Sequence, residues 1–66
     1  MEEVIQVESS WIESAVYDYD ERALTLYFLR GDSYVYENME PALWRAFKAA
    51  PSKGTFTNQV LKVLDV

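Results

Sequence analysis

Leu24-Thr25-Leu26-Tyr27-Phe28-Leu29-Arg30-Gly31-Asp32-Ser33-Tyr34-Val35-Tyr36 reads as two β-strands folded back on each other at Arg30-Gly31-Asp32. Leu24, Leu26 and Phe28 share one face of the first strand and Thr25, Tyr27 and Leu29 the other. A three-residue loop, with Gly31 at the positive φ that only a residue without Cβ takes freely, sets Phe28 opposite Tyr34 and Leu26 opposite Tyr36. A two-residue turn would instead put Val35 on the Leu26 and Phe28 face, because a slip of one residue exchanges the two faces of a strand. The first is preferred because it gathers four bulky groups. On that choice Tyr27, Leu29 and Val35 form a second apolar patch, which another part of the chain or a second copy covers or which stays open as a contact surface.

Upstream, Val4-Ile5-Gln6-Val7 is a short apolar run that suits an edge strand, and Ser9-Ser10 interrupts it with hydroxyls that bond the local backbone. Trp11 to Tyr19 alternates between two sets, neither wholly polar, and the period favours a strand. Asp18-Tyr19-Asp20-Glu21-Arg22 is a polar turn.

Downstream, Glu37-Asn38-Met39-Glu40-Pro41 ends the sheet and starts a helix. Pro41 suits the first helical position, and Glu40 sets negative charge at the positive end of the helix dipole. Leu43, Trp44 and Phe47, with Ala46 and Ala50 nearby, give an apolar stripe, with Arg45 and Lys48 on the outer flank. This helix stops by Ala50, since the residue before Pro51 is pushed out of helical geometry. Ser52 or Thr55 then caps a second helix in which Phe56, Val60 and Val63 or Leu64 recur. The expected fold is α+β: a three-stranded antiparallel β-meander, with room for a fourth short N-terminal strand, and two C-terminal helices on one face.

The 66 residues are the length of one domain, which at this size buries only about 60% of its unfolded surface and relies on every large side chain. With no Cys and no His, disulfides, thiolate chemistry, the common zinc sites and the usual general base are absent. The chain is expected to be non-catalytic, without metal or cofactor. Asp18, Asp20 and Glu21 lack the Gly and distal Glu of a calcium loop and read as a solvated turn. An acidic start and the lack of a long apolar run argue against a signal peptide and a membrane span, so a cytoplasmic location is expected. The net charge of −5 is unevenly spread: ten of the eleven acids lie in residues 1–40, whereas Arg45, Lys48, Lys53 and Lys62 lie beyond them.

Ser9-Ser10-Trp11-Ile12, Tyr17-Asp18, Leu24-Thr25-Leu26-x-Phe28, Gly31, Tyr34-x-Tyr36, Pro41 and Ser52-Lys53-Gly54-x-Phe56-x-Asn58 together resemble the KTSC domain. That family is named for the C-terminus of some lysyl-tRNA synthetases and also occurs as stand-alone bacterial or phage proteins. The resemblance implies a β-meander followed by helices, an RNA-binding role proposed for the family, and Tyr34, Tyr36, Ser52, Lys53, Gly54, Phe56 and Asn58 as its characteristic positions. Where many relatives look polar between the two Tyr, this chain has Val35, which favours protein over phosphate as a partner.

Two functions follow. One is a protein-interaction or self-associating module using Tyr27, Leu29 and Val35 or an open strand edge. The other is a small RNA- or DNA-contacting module using Arg45, Lys48, Lys53 and Lys62. For Tyr34 and Tyr36 the simpler role is core, with hydroxyls at the sheet rim. For Ser52-Lys53-Gly54 it is a helix cap, with Gly54 allowing close packing.

Overall fold

The fourth strand exists, and it runs along the edge that the N-terminal apolar run suggested. The computed structural model describes residues 1–61. It gives β1 (Glu2–Gln6), β2 (Ile12–Asp18), β3 (Ala23–Phe28), β4 (Ser33–Tyr36), α1 (Pro41–Ala49) and α2 (Lys53–Phe56), the last continuing as a π-helical turn over Thr57–Leu61. The sheet is an antiparallel meander in the order β1-β2-β3-β4. Lys62, Val63 and Leu64, and the side chain of Val60, lie outside the described residues.

The β3–β4 hairpin keeps the expected face but not the expected partners. Leu26 lies opposite Tyr34 and Leu24 opposite Tyr36. The three loop residues are Leu29-Arg30-Gly31, one earlier than the sequence suggested, because the Gly31 N–H donates to Phe28 O and the Phe28 N–H to Asp32 O. This is a type I turn closed by a glycine bulge, and Gly31 takes φ +112°. Sliding the loop by one residue moves the pairing by two, so every side chain stays on its face.

The mixed sets of the Trp11–Tyr19 stretch have a local cause. Ile12 pairs with Phe28 but Ser14 with Tyr27, which leaves Glu13 as a bulged residue. The bulge brings Ile12 onto the face of Ala15 and Tyr17, and all three are buried with Leu24, Leu26 and Phe28. Around this strand the turns follow their side chains: Ser9 Oγ accepts from the Trp11 and Ile12 N–H groups, and Asp18 Oδ1 from those of Asp20 and Glu21.

Helix α1 covers that buried face. Pro41 sits in its first turn with Glu40 as the capping residue, and Ala50 ends it in extended geometry before Pro51. Trp44 and Phe47 are wholly buried, while Ala46 faces out. A run of rings ties helix to sheet: Tyr17 stacks on Trp44 at 5.1 Å, Trp44 on Phe47 at 5.6 Å, and Phe47 meets Phe56 edge-on at 5.8 Å. The Tyr17 hydroxyl donates to Met39 O at 2.5 Å, which anchors the β4–α1 connection in the core.

Ser52 caps α2, accepting from the Thr55 N–H at 3.3 Å. A Cβ on Gly54 would lie 2.7 Å from Trp11 Nε1 and 3.3 Å from Ser9 Oγ, so glycine is what lets α2 meet the Ser9–Trp11 bend. Buried Thr57 bonds back to Lys53 O at 2.7 Å, a contact that bends helices and here marks the change to π geometry.

Candidate interaction face

The face opposite the helices has no element over it among the described residues. The register runs one row of β-branched side chains across all four strands: Val4 opposite Val16, Val16 opposite Thr25, Thr25 opposite Val35. Val4 and Val35 are 60% and 48% exposed. On one side of this row lie Gln6, Ser14, Tyr27 and Ser33, with Tyr27 43% exposed. On the other side Glu2 lies opposite Asp18 and Asp18 opposite Ala23. A shallow cavity of about 450 Å³ opens there, floored by Val16, Ala23, Thr25 and Val35 and walled by Glu2, Asp18, Glu21 and Glu37.

Tyr27 and Val35 are therefore placed together as the sequence suggested, but Leu29 is not. It belongs to the hairpin loop, where its N–H donates to Trp11 O, and with Trp11, Phe28 and Asn58 it lines a separate depression of about 600 Å³. The charged group there, Arg30, is held by Asp32 at 2.9 Å. Val4 and Val16 take the place of Leu29 on the open face. A reading of one hairpin misses them because strands β1 and β2 bring them from elsewhere in the chain.

Tyr34 and Tyr36 also separate. Tyr36 packs against the core, whereas Tyr34 is 41% exposed. The expectation of a core Tyr34 fails because β4 is an edge strand, with β3 on one side only. Ser52, Gly54 and Phe56 are absorbed by capping and packing. Lys53 Nζ donates to Ala50 O at 3.2 Å, closing the C-terminal end of α1.

Among the described residues the expected cations do not come together as one free basic surface. Lys48, expected on the outer flank, reaches back to both oxygens of Glu3 at 3.0 Å. Arg45 is exposed, and Lys62 lies outside the described residues. The Glu3 carboxylate is the polar hub that sequence reading missed. Its Oε1 also accepts from the Tyr19 hydroxyl at 2.6 Å and from Trp44 Nε1 at 2.9 Å. Those donors, Tyr19 first, then Trp44 and Lys48, hold its pKa down to about 2. The network satisfies the indole N–H of a buried Trp and clasps β1 to α1.

The chain belongs to the KTSC domain family, whose model matches residues 8–63. A KTSC domain protein of Yersinia pestis, known from its crystal structure, superposes with a TM-score of 0.85 at 34% identity, over 94% of this chain and 87% of that one. A protein of Tsukamurella paurometabola is 43% identical over 56 residues, 85% of this chain and 84% of its own length. Among the described residues no helix is long and apolar enough to cross a membrane.

Proposed function

We propose that this KTSC domain is a non-catalytic, cytoplasmic interaction module whose open sheet face seats a protein surface. The observation that carries the reading is the uncovered row Val4, Val16, Thr25 and Val35, flanked by Tyr27. In a domain this small, apolar side chains are needed in the core, and a continuous row left outside it is a feature of contact surfaces. The RNA-contacting alternative has less support, because Lys48 and Lys53 are occupied within the domain by Glu3 and Ala50 O.

Light scattering over a concentration series and titration of labelled RNA, as a hairpin and as a single strand at low and moderate salt, separate the two. The interaction reading expects no salt-sensitive RNA binding and a response to protein at the open face, whether a second copy or another chain, that is removed by Val35→Asp. A monomer that binds RNA with a steep salt dependence, lost on reversing Lys48 and Lys53, overturns it.

A further inference from the structure

We infer that the open face takes an amphipathic, Lys- or Arg-bearing segment of another protein, its apolar side chains on the β-branched row and its cations against the carboxylate wall. This rests on the interaction reading above and names the partner's chemistry. Three observations support it. Val16, Thr25 and Val35 of the row share one cavity with the acidic wall of Glu2, Asp18, Glu21 and Glu37, so one ligand meets both. Glu2 and Asp18 stand directly opposite on neighbouring strands, an arrangement of like charges that weakens a sheet and that a cation seated between them relieves. The residues that the register places on this face include no Lys or Arg, so a second copy presenting the same face brings no countercharge.

The nearby cations leave the wall acidic. The N-terminal ammonium is held by Asp20 at 2.6 Å and also feels Asp18 and Glu2, one positive charge against four carboxylates, while the charge of Arg22 acts on Tyr17 on the helix-covered side. Asp18 also serves the β2–β3 turn, accepting from the Asp20 and Glu21 N–H groups, so Glu2 and Glu37 are the groups to alter without disturbing it.

The test uses the full chain and a fluorescent peptide of about four helical turns patterned with Leu and Lys, beside its Glu-for-Lys counterpart. Anisotropy follows binding and amide chemical shifts locate it. The Lys peptide is expected to bind, to weaken about tenfold between about 20 and about 200 mM salt, and to shift Val4, Val16, Thr25 and Val35. The double variant Glu2→Lys/Glu37→Lys should weaken it at least about tenfold, and Val35→Asp should do the same by wetting the row. Glu40→Lys/Ala46→Lys/Ala49→Lys, with the same change in net charge on exposed residues at the start and along the outer side of α1, should leave it unchanged. Equal binding of the Glu peptide, equal weakening by the α1 variant, or shifts confined to α1 or the Trp11 depression overturn the inference. If neither peptide binds but the domain self-associates and Val35→Asp reverses this, the interaction reading stands and the basic partner falls. If neither peptide binds and the domain does not self-associate, both fall.

Discussion

Gly31 and Gly54 fill two positions for opposite reasons, and replacing each with Ala separates them. A Cβ on Gly31 would meet nothing within 4 Å, but φ there is +112°. The cost is conformational, about 1–2 kcal/mol, and no neighbour should modulate it. At Gly54 the new methyl would sit 2.7 Å from Trp11 Nε1, and the indole has little room to retreat. It stacks on Phe28 at 5.6 Å, and the bend behind it is fixed by Ser9 Oγ bonding the Trp11 and Ile12 N–H groups. Overpacking costs about 1–3 kcal/mol, and the better helix propensity of Ala returns about 1 kcal/mol, which leaves a net loss of about 0–2 kcal/mol. At this size each kcal/mol lowers Tm by about 4–8 °C. Urea unfolding followed by Trp44 fluorescence, which survives Trp11→Phe, gives all four corners of a Gly54/Trp11 cycle. Trp11→Phe shrinks the obstructing ring, so Gly54→Ala should cost less in that background by about 1 kcal/mol, while Gly31→Ala should cost the same in both. A Gly54→Ala variant more stable by about 1 kcal/mol, or a coupling within about 0.3 kcal/mol of zero, refutes the close-packing account.

Further expectations concern the polar groups. Tyr17→Phe leaves the buried Met39 carbonyl without its donor and should cost about 1–3 kcal/mol by thermal unfolding, with helix content unchanged. Because the folded Glu3 carboxyl lies near about 2 against an ordinary 4.5, its contribution is fully present above 4.5 and lost as pH falls towards about 2. Glu3→Gln should flatten that limb of a stability–pH curve, and a carboxyl-carbon NMR titration of the parent should find the low value. Removing one donor by Lys48→Met should move the same titration upwards. Trp44→Ala should cost about 3–5 kcal/mol, a large part of the about 3–10 kcal/mol available to a chain this short, and circular dichroism should find much of it unfolded.

The sequence made much of this fold legible because local chemistry set it. Gly31 fixed a hairpin, Asp18 a turn, Pro41 and Pro51 bounded α1, and Ser52 capped α2. The failures came where a distant partner decides. The Glu13 bulge breaks the alternation of β2 and has no sequence mark, since its effect is to bring Ile12 over Phe28. Glu3 reads as one more surface acid, because Trp44 and Lys48 lie 41 and 45 residues away. At the candidate site, the Tyr27 and Val35 pair was readable from one hairpin. Val4 and Val16 were not, as they join the row only through the register of strands paired elsewhere, and Leu29 left it when the loop slid by one residue.

The clasp at Glu3 also bears on the order in which the domain is made. A ribosome releases this carboxylate 41 and 45 residues before its indole and ammonium donors, which both follow the whole sheet. Until then the first strand can pair with the second but has no anchor above it, so its final locking waits on a late, long-range closure of the kind that sets the pace of folding. A chain halted before Trp44 should leave that strand open to exchange and proteolysis, whereas one extended past Lys48 should protect it.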